Sequence, residues 1–247
     1  MTDSKTEIPT HLPNGQPFQK PEQRFFGRRK GNKLSARKQQ LMDHLLPTLM
    51  VPLDGVAQHQ LDAKSLFKTP VKKIWFEIGF GKGEHMSWQA QRHSDVGMIG
   101  CEPFLNGVAG LLTDIDEEKI DNIRIYSDDA RHVMQALPDA SVDRVFLLQP
   151  DPWPKKKHAR RRFVNPYNLD EIARILVDGG EFRISTDHPI YREWVNLQMS
   201  ERDDFAWTAE GPQDWRDRPD DWPATRYVEK ALEGDACYFI FKRKNRQ

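Results

Sequence analysis

Lys72 to Gly83 reads KKIWFEIGFGKG. Ile74 to Ile78 has the aromatic and β-branched composition of a strand, and the run then breaks on Gly79, Gly81 and Gly83. Residues 84–93 can form the helix that follows. A strand passing through a glycine turn into a helix is the repeating unit of a parallel α/β sheet. Outward from this unit the alternation continues. VGMIGCEP (96–103) predicts a second strand, and Phe104 to about Glu118 a second helix. NIRIYSDDA (122–130) predicts a third strand, ending in Asp128 and Asp129. VDRVFLLQP (142–150) is nearly all apolar, as expected of a strand buried on both faces. Asn165 as cap, Pro166 in the first turn and Leu169, Ile172, Ala173 and Leu176 predict a helix closed by Gly179–Gly180. EFRISTDH (181–188), IYREWVNLQM (190–199) and CYFIFKRK (237–244) predict a fifth strand, a helix and a last strand. The expected architecture is a doubly wound, mostly parallel sheet with helices on both faces.

Before this core, a helix is predicted from Ser35 to about Leu46. LLPTLMVPL (45–53) reads as an extended connection, since Pro47 and Pro52 break a helix. Residues 1–33 carry four prolines spaced through polar sequence (Pro9, Pro13, Pro17, Pro21) and no apolar period. They are expected to form a mobile, basic N-terminal arm, ahead of a single domain over 34–247. WRDRPDDWPATRY (215–227) is rich in proline and charge, and predicts a substrate loop near 211–230 rather than a buried element.

Lys+Arg 37 balances Asp+Glu 37, so net charge points to no class of partner. Its distribution does. Eight basic residues lie between Lys20 and Lys38 against the single acid Glu22, and six between Lys155 and Arg162 with none. Solvated faces usually mix signs, so two such blocks favour a polyanionic partner, a nucleic acid. Cys101 and Cys237 are the only cysteines. They form no disulfide framework, fit a reducing cytoplasm and are expected to be packing residues. The N-terminus has no apolar signal segment, no run is long enough for a membrane span, and the histidines show no metal-ligand spacing. Neither membrane nor metal is expected.

In sheets of this kind ligands bind at the carboxyl ends of the strands. Here those ends carry Glu77, Glu102, Asp128–Asp129, Asp151 and Asp187. The glycine turn lacks the G-x-x-x-x-G-K-[ST] pattern of a phosphate loop, and its third glycine comes one residue early for a dinucleotide fingerprint. Acids also crowd it, which disfavours a pyrophosphate. S-adenosylmethionine fits better, being free of phosphate and cationic at sulfur and amine. Gly79 and Gly81 would admit it closely, and Glu77 would hold its amino-acid end or the water around it. Glu102 would accept both ribose hydroxyls, and Asp129 with the backbone after it would meet the adenine amino group.

Asp151 stands between Pro150 and Pro152, with Pro154 beyond, so the loop enters the cleft with much of its backbone fixed. Trp153 offers a face for a base, or packs against its own loop. Asp187 reads either as a ligand-facing strand end or as the cap of the helix near Pro189.

EIGFGKGE, GCEP, QPDPWPKKKHARRR, STD and TRYVEKA, in this order from about Arg24 to the C-terminus, together resemble the bacterial tRNA (guanine-N7-)-methyltransferases. The resemblance implies a class I S-adenosylmethionine-dependent methyltransferase fold. It also implies methyl transfer to N7 of the guanosine at position 46 in the tRNA variable loop. It places cofactor carboxylates on Glu77, Glu102 and Asp129 and the catalytic aspartate on Asp151, which also borders the cofactor. Substrate contacts fall on Lys155, Asp187 and the stretch Thr225, Arg226, Tyr227, Val228 and Glu229. The family usually carries glutamate directly after the aromatic residue, where this chain has Val228 with Glu229 next. The implied enzyme is cytoplasmic, needs no partner protein, and is a monomer or homodimer.

Overall fold

Alternation along the central strand sets up the two faces of the sheet. In β1 (Lys73–Ile78) every residue from Ile74 onward is buried. Ile74, Phe76 and Ile78 join one apolar cluster and Trp75 the other, the period of two that a pleated strand imposes. The computed structural model describes residues 25–224 and 234–246. Its other strands are β2 (Val96–Cys101), β3 (Ile123–Tyr126), β4 (Val142–Leu148), β5 (Leu176–Thr186), β6 (Phe205–Trp207) and β7 (Cys237–Arg243). They form one sheet in the order β3-β2-β1-β4-β5-β7-β6. β1 to β5 run parallel, and β7 is antiparallel to both β5 and β6.

The helices are α1 (Ala36–His44), α2 (Leu46–Leu49), α3 (Glu84–Arg92), α4 (Leu105–Glu118), α5 (Ala130–Ala136), α6 (Pro166–Ile175), α7 (Pro189–Ser200) and α8 (Gln213–Arg216). Met86 and Ala90 of α3 and Val108, Leu111 and Leu112 of α4 pack with Trp75, Met98 and Phe146 on one face. Val133 of α5, Ile172 of α6 and Val195 of α7 pack with Phe76, Val145 and Ile184 on the other. The strand order switches sides between the parallel neighbours β1 and β4, so a crevice opens at their carboxyl ends.

Several local expectations need correcting. Residues 46–49 are a short helix rather than extended chain, because Pro47 sits in its first turn, where the missing N–H costs nothing. The chain then extends, with Val51 N–H donating to Ile125 O at the edge of β3 (2.9 Å). The helix from Pro166 stops at Ile175, before the glycines. Leu176 already pairs with Val142, and Gly179 (φ 76°) and Gly180 lie in an irregularity within β5, not in a helix cap. His188, not Asp187, caps α7. The charged stretch 215–224 is not simply a loop, since Trp222 is among the most buried side chains of the protein. α5 and β6 add to the expected elements, α8 forms within the stretch expected as a loop, and α5 is capped by the Asp129 carboxylate.

Candidate active site

The crevice widens into a cavity of about 540 Å³, within the range of small-molecule sites. Its floor is the glycine turn. Gly79, Gly81 and Gly83 have φ of 70°, 58° and 83°, a region costly for any residue with a Cβ. A Cβ at Gly79 would meet nothing within 4 Å, whereas one at Gly83 would lie 2.6 Å from the Leu111 side chain. Gly107 of α4 is also required, since a Cβ there would stand 2.1 Å from Gly81 O. That close approach of helix to turn had no signal in the spacing of the turn itself.

Glu102 ties the turn to the next strand. Its Oε2 accepts from Gly81 N–H at 2.7 Å and its Oε1 from Phe104 N–H at 2.8 Å. Burial pushes its carboxyl up; the two amides pull it down, while the charges of Asp151 and Glu77 add to the rise. Each oxygen keeps a second lone pair, so acceptors for a diol remain. Glu77, on the α3 side of β1, is buried against His85, with Oε2 2.7 Å from Nδ1. Asp129 is more committed than expected. The Arg131 guanidinium closes on both carboxylate oxygens and the Arg131 N–H donates to Oδ1. Burial raises this carboxyl, but these Arg131 contacts outweigh it and hold it below the usual range. Ala130 and Arg131, beside it in the cavity wall, bring the backbone after the strand to the cavity.

The Asp151 loop carries backbone strain. Gln149 (φ 47°) and Trp153 (φ 42°), each directly before a proline, are left-handed. Non-glycine residues there cost about 1–3 kcal/mol each and cluster at functional sites. Tethers hold the loop against that cost. Gln149 Oε1 accepts from Asp187 N–H at 3.1 Å, and Arg162 donates to Pro152 O (3.0 Å) and Trp153 O (3.2 Å). Asp151 opens onto the cavity, no cation among the described residues pairs with it, and desolvation by the surrounding walls raises its carboxyl.

The basic block divides by environment. Lys155, Lys156, Lys157 and Arg160 are exposed. Arg161 lies between the rings of Phe26 and Trp153, at 4.7 and 4.8 Å. Arg162 is buried and structural, which corrects its reading as part of a uniform polyanion face. Trp153 packs edge-on to Phe26 and His158. Of the expected arm, the described part is docked. Phe25 to Arg28 line the cavity, Arg29 pairs with Asp128 at 2.8 Å, and Gly31 N–H donates to Asn106 Oδ1 at 2.7 Å. Lys155 and Asp187 stand outside the cavity wall. Thr225, Arg226, Tyr227, Val228 and Glu229 lie outside the described residues.

The family model "Putative methyltransferase" matches residues 71–239. A tRNA (guanine-N(7)-)-methyltransferase of Rhodospirillum rubrum is 49% identical, over 90% of this chain and 89% of that one. Proteins of the same name from Rhizobium meliloti and Zymomonas mobilis are 48% and 47% identical, each over 89% of this chain and 94% of the relative. The chain belongs to the tRNA (guanine-N7-)-methyltransferase family. A candidate rRNA-methylase from Clostridium thermocellum, 12% identical, superposes with a TM-score of 0.51 over 72% of this chain and 90% of its own. This likeness shows the shared class I methyltransferase fold. The residues present suit the cofactor of these enzymes. An open side at Gly79, acceptors on Glu102 and buried negative charge on Glu77 match a nucleoside with a cationic amino-acid tail and no phosphate. Among the described residues no helix is long and apolar enough to cross a membrane.

Proposed function

We propose that the protein transfers a methyl group from S-adenosylmethionine to N7 of the guanosine at position 46 in the tRNA variable loop, in the cytoplasm and without a partner protein. The observation that carries this reading is the position of Asp151, on a strained loop between the cavity that holds Glu77 and Glu102 and an exposed run of lysines.

S-adenosylmethionine, when bound, supplies an electrophilic methyl group on a cationic sulfur. Glu77 and Glu102 are available to its amino-acid end and its ribose. Asp129 reaches adenine chiefly through the backbone after it, because Arg131 occupies its carboxylate. Guanine N7 has a lone pair and no proton, so no general base is required. The transfer leaves positive charge on the guanine ring. The Asp151 carboxylate opposes that charge and accepts from N1–H or the exocyclic amine, which orients N7 toward the methyl group. Lys155 and the exposed lysines after it neutralise phosphates. Asp187 and Thr225 to Glu229 complete the substrate contacts, with Glu229 in place of the glutamate that Val228 displaces.

Incubation with labelled S-adenosylmethionine and bulk tRNA lacking N7-methylguanosine tests the reading. Borohydride reduction and aniline cleavage should then cut at one variable-loop guanosine, position 46. Label elsewhere in tRNA would move the site, and cofactor binding without label in tRNA would remove the substrate.

A further inference from the structure

The carboxylate at the end of β1 is held by a histidine that the reaction above does not use. Glu77 and His85 are each 2% exposed and meet at 2.7 Å through Oε2 and Nδ1. The other ring nitrogen of His85, Nε2, lies 3.1 Å from Gln89 Nε2, one turn further along α3. That same Gln89 atom lies 2.7 Å from the main-chain oxygen of Asp221. A carbonyl oxygen only accepts, so the Gln89 atom facing it is the amide nitrogen, and its second hydrogen is directed to His85 Nε2. Nε2 therefore accepts, the ring proton sits on Nδ1, and Nδ1–H donates to Glu77. The order of donation is Gln89 to His85 to Glu77.

Two features separate this chain from ordinary core packing. Gln89 is fully buried, yet its Oε1 finds no partner among the described residues, against the usual pairing of buried polar atoms. Its amide nitrogen is instead kept in one orientation by Asp221, whose carboxylate is gripped by Arg183 NH1 at 2.9 and 2.8 Å. The partner chosen for Glu77 also matters. A lysine or arginine there would cancel its charge, whereas a neutral imidazole orients the carboxylate and leaves its negative charge for a cationic ligand.

We propose that His85 is a positioning residue, which holds the Glu77 carboxylate for the amino-acid end of the cofactor while Gln89 sets its tautomer. This rests on reading the cleft as the S-adenosylmethionine site. Two variants separate the two ring nitrogens. His85→Asn puts an amide where Nδ1 stood and keeps a donor to Glu77; His85→Gln puts its amide where Nε2 stood and loses that donor.

With full-length protein, the Kd of S-adenosylhomocysteine would be measured by calorimetry, alongside KM for S-adenosylmethionine and kcat on tRNA. His85→Gln should weaken the Kd roughly ten- to hundredfold, the range for a hydrogen bond to a charged group. KM should rise with it while kcat at saturation changes less, and His85→Asn should recover most of the loss. His85→Gln binding like wild type, or His85→Asn no better than His85→Gln, overturns the proposal. If His85→Gln does not fold, Gln89→Met decides, since it frees the ring tautomer and should weaken the Kd, and an unchanged Kd overturns the role. A wild-type protein that binds neither nucleoside would fail the cleft reading itself. One that binds both but leaves tRNA unmethylated would fail only the substrate assignment.

Discussion

Two aspartates of the site sit in opposite electrostatic conditions, and pH should tell them apart. Desolvation raises the Asp151 carboxyl, so its charged form costs folding free energy once pH passes the ordinary carboxyl value of about 3.9. Asp151→Asn removes that cost. Its melting temperature should exceed wild type at neutral pH, and the gap should close as pH falls through the Asp151 value toward that of the unfolded chain. Turnover should nevertheless fall about a hundred- to thousandfold, as when one preorganised charge-stabilising group is lost, with cofactor affinity mostly kept. An Asn variant with unchanged kcat would falsify the assignment. Asp129 has the reverse sign. Burial there is outweighed by Arg131, and its carboxyl is held low, so its contribution is present above the unfolded value and lost as pH falls through the folded one. Asp129→Asn should therefore melt below wild type at neutral pH, the difference shrinking in acid.

At the scale of elements, the close packing of α4 on the glycine turn yields the sharpest contrast. A methyl at Gly107 would meet the Gly81 carbonyl at 2.1 Å, whereas one at Gly110 would meet Lys82 O at 3.2 Å. Backbone cannot rotate aside as a side chain can. Gly107→Ala should cost about 1–3 kcal/mol by overpacking and weaken S-adenosylhomocysteine binding by displacing the turn. Gly110→Ala should be near neutral, since the gain of about 0.5–1 kcal/mol for alanine in a helix offsets a mild contact. Denaturant melts of the two variants check this, and equal effects would remove the turn from the explanation. The same contrast marks what was legible in the chain. The succession of strands along the chain and the acids at their ends were readable, because parallel strands need apolar runs and their ligands meet the residues just beyond. Gly107 was not, because its neighbour Gly81 is distant in sequence. Nor were the His85 bond to Glu77, the burial of Trp222 within a charged stretch, or the structural use of Arg162. Each depends on a tertiary partner that local pattern does not contain. The early end of α6 escaped for a similar reason. Gly179–Gly180 looks like a helix stop, but Leu176 was claimed by pairing with Val142.

Over the whole molecule acidic and basic residues are equal in number, but the buried carboxylates of the site and the exposed lysines stand apart. Glu77 and Glu102 are buried in the cavity wall, while Lys155, Lys156 and Lys157 are exposed on the loop beside it. Such segregation lets one chain attract a cation inside and a polyanion outside, and salt should act on the two unequally. Each phosphate contact releases counterions, so log KM for tRNA should rise steeply and linearly with log salt, whereas binding of the uncharged-overall S-adenosylhomocysteine should barely respond. Lys156→Ala or Lys157→Ala should each lower the salt slope by about one where the lysine meets a phosphate. Arg162→Ala should leave the slope unchanged, because that guanidinium is spent on Pro152 O and Trp153 O. Its loss should appear instead as a fall in melting temperature and in kcat, as the strained loop around Asp151 relaxes. If Arg162→Ala flattened the slope while Lys156→Ala and Lys157→Ala left it intact, the division of this basic block into a structural arginine and solvent-facing lysines would be wrong, and tRNA would approach from another side of the cleft.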